Sequence, residues 1–142
     1  MAKPIPIPDL ETAPYWDAAR RHVLMLPRCS GCGHLLFPPK PECPACLTHD
    51  VAWVELSGRG TVYTYCVMRV SLVPGYDAPY VVAEVALEEE PDVRITSNVV
   101  ACPIDQVRIG MPVEVTFEDR TPEVSLPQFR PRRTALEAGT GP

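Results

Sequence analysis

The chain has 142 residues, 46% hydrophobic and 22% charged, enough for one ordinary domain or a small domain with an appendage. It has no apolar run long enough for a transmembrane helix, and its first residues lack the pattern of a secretory signal. We therefore expect a cytoplasmic protein with no membrane partner and with reduced cysteines. The net charge of −5 is uneven: residues 54–129 carry five basic and twelve acidic side chains, which would repel nucleic-acid phosphates.

Residues 1–27 are predicted to form an extended arm followed by a short helix. The arm contains alternating prolines, and the run TAPYWDAARRHV that follows is typical of a helix. Thr12 is a candidate N-cap, and Pro14 is tolerated in a first turn. Such a short helix is not stable alone, so its apolar stripe of Trp16, Ala19 and Val23 should pack on its own domain or on a partner chain.

Residues 28–50 hold two Cys-x-x-Cys pairs, made by Cys29, Cys32, Cys43 and Cys46. Two such turns supply the four soft ligands that zinc takes in a tetrahedron. The pattern predicts one structural Zn²⁺ per chain, with iron in the same thiolate cage as the chemical rival. Disulfides would require an oxidising compartment. Because four thiolates leave no open coordination position, the metal should organise the fold rather than activate water.

The other polar candidates carry no catalytic pattern. Cys66 and Cys102 fall within predicted strands and are expected to be buried, unreactive thiols. His34 follows Cys32, but the complete cysteine set leaves it no ligand role, and the acidic run at 88–90 is typical of a solvated turn. The sequence shows no nucleophile elbow and no phosphate-binding glycine loop.

Residues 51–133 are predicted to form a small β-barrel. Five β-branched or aromatic runs alternate with turn residues: VAWVEL, GTVYTYCVMRV, PYVVAEVAL, VRITSNVVA and VEVTFED. Five short strands leave exposed edges in an open sheet, and closure removes those edges. The fold class is therefore mainly β, with an N-terminal helix, a zinc ribbon and a five-stranded barrel. Residues 134–142 are expected to be a disordered tail.

The ordered motifs of the chain resemble one family, the acyl-CoA-associated zinc-ribbon/OB-fold proteins. They are CSGCGHLLFPPKPECPAC, SGRGTVYTY, APYVVAEVAL, ITSNVVAC, VRIGMPVEVTFED and LPQFRPR, and together they span about residues 12–133. The cysteine pairs alone are not specific, whereas the ordered set is. One departure is Lys40, where family members often have arginine after the Pro-Pro pair; lysine cannot make the same bidentate contact.

The resemblance implies a rubredoxin-like ribbon, an OB fold and a non-catalytic role. Members are small subunits bound to thiolase-superfamily enzymes, including thiolases and lipid-transfer-protein-like aldolases that shorten steroid side chains. The resemblance thus implies an accessory subunit that stabilises a thiolase-like large subunit and shapes access of acyl-CoA, and we expect a heterotetramer of two plus two chains. It names no catalytic and no cofactor-binding residue in this chain.

Large apolar groups in small elements are the candidate partner contacts, since interface cores favour aromatic residues and arginine. The alternative for the apolar ones is packing within the chain. The candidates are Tyr15, Trp16, Leu36, Phe37, Pro38, Phe129 and Arg130.

Two other functions stay open from the sequence. Zinc ribbons and OB folds both occur in nucleic-acid-binding modules, although such surfaces pair a basic groove with stacking aromatics. An autonomous acyl-CoA-binding protein is the other alternative, but the predicted strands offer few basic residues for the phosphates of CoA.

Overall fold

The structure, a computed structural model, describes residues 3–133; the predicted tail 134–142 lies outside them. The described elements are one helix, seven strands and a single 3-10 turn at Ile104–Gln106. The helix is α1 (Ala13–Arg20), and the strands are β1 (Met25–Cys29), β2 (Val51–Glu55), β3 (Arg59–Met68), β4 (Tyr80–Leu87), β5 (Arg94–Val99), β6 (Pro112–Asp119) and β7 (Ser125–Pro131). The predicted fold class is confirmed.

Helix α1 begins after a polar turn that closes on itself. The backbone N–H of Thr12 donates to Asp9 Oδ1 at 2.8 Å, and the N–H of Asp9 donates to Thr12 Oγ1 at 3.1 Å. The Thr12 side chain therefore braces the preceding turn and does not cap the helix, contrary to its predicted role. The helix ends at Arg20, before the predicted end, and His22 adopts a φ of 61° that a continuing helix does not allow.

The buried face of α1 differs from the predicted stripe. Tyr15, Ala18 and Ala19 are buried, whereas Trp16 is only half-buried. Two small alanines let the helix lie close to its neighbours, and it contacts both β1 and β7. The helix therefore packs on its own chain, between the ribbon and the barrel.

Strands β1 and β2 form a separate two-stranded sheet at the base of the cysteine segment. They pair antiparallel, with Met25 opposite Glu55 and Cys29 opposite Val51. The run VAWVEL was predicted to be a barrel strand, and that prediction is wrong. Residues 30–50 fold back at the cysteine cluster, so the chain on either side of them is brought into register and pairs locally.

The closed barrel has the strand order β3-β4-β5-β7-β6. Its pairings are antiparallel except for one parallel contact, Val99 opposite Phe129, between β5 and β7. The fifth strand, β7, was not predicted as a strand because Pro127 and Pro131 interrupt its pattern. β7 is joined to β5 through a single residue pair and to β6 through seven, so a proline is tolerated where its missing N–H faces the weakly paired β5 side.

One hydrophobic core joins the ribbon to the barrel. Leu26 and Leu35 from the ribbon side belong to the same buried cluster as Val62, Val85 and Phe129 of the barrel. Phe129 has 0% exposure, so its prediction as a partner contact is wrong: its position on β7 points it inward. The ribbon and the barrel therefore share buried surface.

The N-terminal arm is fixed to the barrel at its start. Lys3 Nζ lies 2.9 Å from Glu118 Oε2 and 4.6 Å from the centre of the Tyr76 ring, in a cation–π geometry. Partial burial acts to raise the pKa of Glu118, but hydrogen bonds from Lys3 and Arg120 bring this pKa below its usual 4.5. The carboxylate of Glu118 therefore links the arm to β6 in its ionised form.

Replacing Phe129 by alanine should strongly destabilise the chain. Loss of a fully buried aromatic ring costs about 3–5 kcal/mol of unfolding free energy. Phe117→Ala is the matched control, because Phe117 is only partly buried and stacks on His22. Urea unfolding monitored by circular dichroism measures both variants. An equal or smaller loss for Phe129→Ala than for Phe117→Ala would contradict this packing.

The link at Glu118 should make stability depend on pH in a defined direction. Because the folded pKa of Glu118 is depressed, its contribution is complete above the unfolded value near 4.5 and is lost as pH falls through the folded value. Glu118→Gln should therefore lower the unfolding free energy at pH 7, by up to about 1 kcal/mol for a partly exposed pair, and by progressively less between pH 5 and pH 3. Glu123→Gln, at an exposed position, serves as control. A Glu118→Gln effect that stays constant across this range would contradict the role of the ionised carboxylate.

Candidate metal centre and neighbouring groove

The four predicted ligands come together in one cluster. The sulfur atoms of Cys29, Cys32, Cys43 and Cys46 all lie within 4.8 Å of one another, with 3.3 Å between Cys29 and Cys46 and 3.5 Å between Cys32 and Cys43. Zinc–sulfur bonds of about 2.3 Å in a tetrahedron place the sulfurs about 3.8 Å apart. The spacing of the sulfurs therefore fits a tetrathiolate metal site.

Two nearly equivalent turns present the ligands. The carbonyl of Cys29 accepts from the N–H of Gly33 and that of Cys43 accepts from the N–H of Leu47, both at 2.8 Å. Gly33 has a φ of 80° and Leu47 a φ of 61°, so the same position in each turn is left-handed. A glycine meets this demand without strain, whereas Leu47 adopts it despite its side chain.

The donor set is that of a structural zinc site. In the first turn, the N–H of Cys32 points at Cys29 Sγ at 3.4 Å and is the main cause that lowers the pKa of this thiol to about 6. A thiolate is the form that binds the metal. Cys29 and Cys43 are buried while Cys32 and Cys46 are exposed, so the cluster lies at the surface. With four thiolates the zinc is coordinatively closed and serves as a cross-link.

A carboxylate of the barrel holds the metal turn. Glu90 Oε2 accepts from the N–H of Leu35 at 2.6 Å, and Glu90 Oε1 lies 2.6 Å from His34 Nδ1. Partial burial acts to raise the pKa of Glu90, but these two hydrogen bonds lower it, and the same contact raises the pKa of His34. The acidic turn was predicted to be solvated; instead Glu90 ties the ribbon to the barrel, and His34 is turned toward it.

Four predicted partner contacts lie along one groove beside the metal centre. Tyr15, Trp16, Phe37 and Pro38 form one wall of a cavity of about 380 Å³, together with Pro39. The facing wall is formed by β5 and β7 through residues that include Ile95, Thr96, Asn98, Leu126 and Gln128. The aromatic rings contact one another, with 5.0 Å between the centres of Tyr15 and Trp16 and 6.3 Å between those of Tyr15 and Phe37.

The remaining predicted contacts lie elsewhere. Leu36 is buried in a small cluster with Cys29 and Cys43, so it supports the metal turns and is not on the surface. Arg130 is exposed, with Nε 3.3 Å from Glu114 Oε1. The structure thus gathers part of the predicted set into a groove and places Leu36 and Phe129 inside the fold.

A serine, an aspartate and a histidine meet on the barrel, but in an order that gives no nucleophile. Ser125 Oγ donates to Asp119 Oδ1 at 2.5 Å, and His22 Nε2 lies 2.8 Å from the same oxygen. In a catalytic triad the histidine lies between serine and aspartate, so that it can take the serine proton. Here the aspartate lies between them, and Ser125 is buried. The cluster therefore links the segment that follows α1 to the end of β6 and the start of β7.

The two remaining cysteines are more open than predicted. Cys66 is exposed and Cys102 is partly exposed, so the prediction of two buried thiols is wrong. Strand alternation shows that neighbours face opposite sides but does not say which side is inside.

In residues 3–133, no helix has the length and apolar character needed to cross a membrane.

Sequence reasoning missed Glu90 and Gln128. Glu90 lies in a charged run that looked solvated, and Gln128 lies in an unpredicted strand. The signal available for Gln128 was a single uncharged polar residue between Pro127 and the buried Phe129, which is too weak to identify a site.

Removing a cluster ligand should release the metal, whereas changing an exposed cysteine should not. We expect one zinc per chain for the wild type and for Cys66→Ser, and a loss of zinc with unfolding of the ribbon for Cys43→Ser. Metal analysis of the purified proteins measures the first quantity. Thiol labelling measures the second: two of the six cysteines should react in the native protein, and all six after chelation at denaturing temperature. Rapid labelling of all six native thiols would contradict the metal centre.

Comparison with known proteins agrees with both halves of this architecture. Residues 16–52 match the family model of the ChsH2 rubredoxin-like zinc ribbon domain, and residues 53–118 match that of the ChsH2 C-terminal OB-fold domain. A probable enoyl-CoA hydratase alpha subunit of Thermomonospora curvata is 39% identical over 91% of this chain and 40% of its own length. The chain therefore spans about two fifths of that relative.

Two further matches cover most of the compared protein. A DUF35 domain-containing scaffold protein of Methanocaldococcus jannaschii is 41% identical over 68% of this chain and 69% of its own length. A chain in the solved structure of the Ltp2-ChsH2(DUF35) aldolase is 39% identical and superposes with a TM-score of 0.81, over 89% of this chain and 98% of that one. With its ribbon, barrel and cysteine cluster in the same order, the chain belongs to the DUF35 family of ChsH2-type zinc-ribbon/OB-fold proteins.

Proposed function

We propose that this chain is a non-catalytic accessory subunit of a thiolase-superfamily acyl-CoA enzyme, and that it stabilises the large subunit and shapes access of acyl-CoA. The observation that carries the proposal is the match to 98% of a chain of the Ltp2-ChsH2(DUF35) aldolase structure, at 39% identity. That protein is an assembly of this fold with a second kind of chain. The enzyme that we propose as partner is accordingly a thiolase-like or retro-aldolase chain, in a heterotetramer of two plus two.

The chemistry of the described residues is consistent with a non-catalytic role for this chain. The zinc has no open position for water or a carbonyl, and the Ser125–Asp119–His22 cluster has the wrong order for proton transfer from serine. A reacting thioester therefore requires groups from another polypeptide. The acyl group is selected there as well; we propose a steroid side chain because the resemblance includes subunits of steroid aldolases.

The partner-binding surface that we propose includes the loop between β3 and β4. Val70, Leu72 and Val73 have exposed fractions of 66%, 77% and 38%, an unusual cluster of apolar surface on one loop. Arg69 precedes them and is exposed. We add the sequence-predicted contacts that remain accessible, namely the exposed Pro38 and Arg130 and the partly exposed Trp16 and Phe37.

Neither alternative function gains a specific observation from the structure. The walls of the groove at the barrel carry no charged side chain among the described residues, whereas nucleic-acid binding needs basic residues beside stacking aromatics. Arg59, Arg94 and Arg130 each lie beside a glutamate, which reduces their availability to the phosphates of CoA.

Co-expression with a thiolase-like subunit from the same genome tests the proposal. We expect the two chains to elute together in size-exclusion chromatography, and turnover of the thioester to require the large chain. Separate elution at micromolar concentrations of both chains, or thioester turnover by this chain alone, would contradict the proposed function.

Leu72→Asp tests the surface separately. A charge placed in an apolar contact should weaken co-elution, by about tenfold or more in the dissociation constant. Ile109→Asp is the control, because Ile109 is also an exposed apolar residue, with 68% of its surface accessible. It lies near the start of β3, where the N–H of Gly110 donates to the carbonyl of Val62, and not at the loop that follows the end of this strand. Equal binding by both variants would remove the loop from the interface and leave the subunit role standing.

A further inference from the structure

The groove between α1, residues 37–39 and the barrel holds two polar side chains that lack partners. Tyr15 is 8% exposed and Gln128 is 6% exposed. Within residues 3–133, neither the Tyr15 hydroxyl nor the Gln128 amide makes a hydrogen bond, although buried polar groups nearly always do. In residues 3–133, Arg120 Nε is the one fully enclosed side-chain nitrogen or oxygen without a partner, so neither the Tyr15 hydroxyl nor the Gln128 amide is fully enclosed. Both residues line the groove, and Gln128 also borders a second cavity beside Lys3 and Glu118.

The protonation of Tyr15 fixes its role in the groove. Burial raises the pKa of Tyr15 to about 12, because the phenolate loses solvation. At neutral pH the group is therefore a neutral phenol that can donate a hydrogen bond. The Gln128 amide can both donate and accept. Each is placed to meet an oxygen atom of a bound molecule.

The rest of the groove defines what else a ligand would contain. One wall is aromatic, formed by Tyr15, Trp16 and Phe37, and the other includes Ile95 and Leu126. The described lining carries no charged side chain, so an ionised group would lose its water without gaining a counter-ion. A volume of about 380 Å³ lies at the lower end of the range for small-molecule sites.

We propose that this groove binds an uncharged small molecule whose apolar ring system carries a carbonyl oxygen. The rings lie against the aromatic wall, and the oxygen accepts from the Tyr15 hydroxyl or from the Gln128 amide. The charge-free lining separates this ligand from CoA itself, whose phosphates find no partner here. The inference does not rest on the proposed partner enzyme, because binding is measured on this chain alone.

Three probes of the same ring size test the site on the full zinc-loaded chain: 2-acetylnaphthalene, naphthalene and 2-naphthoate. Protein-observed NMR follows the Trp16 indole and the Gln128 side-chain amide. We expect shifts in these two groups with 2-acetylnaphthalene, with naphthalene weaker by roughly two- to tenfold, the value of one hydrogen bond. The carboxylate 2-naphthoate should bind at least about tenfold more weakly than the ketone.

Two conservative variants test the proposed hydrogen bonds. At least one of the variants Tyr15→Phe and Gln128→Leu should weaken binding of the ketone, and both should leave the affinity for naphthalene within about twofold. Tyr63→Phe, on an exposed residue of β3 outside the groove, should change neither. Zinc content and circular dichroism confirm that each variant is folded; for a variant that is not, the comparison of the three probes on the wild type decides.

Several outcomes would overturn the inference. They are absence of shifts at millimolar 2-acetylnaphthalene, shifts confined to residues outside the groove, equal affinity for the ketone and 2-naphthoate, and folded Tyr15→Phe and Gln128→Leu variants that both bind the ketone like the wild type.

Discussion

The four-sulfur cage is the constraint on which the positions of the other elements depend. The ribbon turns have almost no core of their own: Cys29, Leu36 and Cys43 form it, with Val51 packed against them. Such a cluster cannot offset the conformational entropy lost by some twenty ordered residues. Four metal–sulfur bonds supply what apolar burial does not. Once they form, β1 and β2 are held in register, and residues 37–39 are carried over the barrel as one wall of the groove.

The ribbon and the barrel act as one unit because two kinds of contact join them. Leu26 and Leu35 enter the same buried cluster as the barrel valines, and Glu90 accepts hydrogen bonds from the very turn that carries the metal ligands. Apolar burial provides attraction without direction, whereas the two oxygens of Glu90 fix the orientation of that turn. The groove between the two parts therefore has a defined shape, although its walls come from distant parts of the sequence.

The sequence predicts the local features of this fold well, but it indicates only weakly which distant segments pair with one another. The ligands could be predicted because a Cys-x-x-Cys turn is complete within four residues. The pairing of the strands could not be predicted. VAWVEL has a good strand pattern, yet the cysteine cluster brings it beside β1, where it pairs outside the barrel. In the same way, β7 has a poor pattern because of Pro127 and Pro131, yet its inward-facing Phe129 holds it in the barrel.

Side-chain orientation is the second quantity that the local pattern leaves open. Trp16 and Phe37 were equally compatible with a partner chain and with internal packing, and the structure gives each a position between those two cases, half-buried along the groove. Cys66 shows the same limit, since alternation along β3 does not say which face is inside. Glu90 and Gln128 acquire their roles from residues more than twenty positions away, which no local reading of their neighbours contains.

The distribution of charge explains how an acidic barrel retains a neutral groove. Arginines 59, 94, 120, 130 and 132 each lie within ion-pair distance of a glutamate on the barrel, so they neutralise part of the acidic excess in place. These pairs lie on the surface, where each adds little stability, and none of the five arginines lines the groove. A cation pointing into the groove would favour phosphate or carboxylate; without one, selectivity rests on shape and on single hydrogen bonds to uncharged oxygen. The groove therefore combines apolar surface with uncharged polar groups, although the barrel around it is acidic.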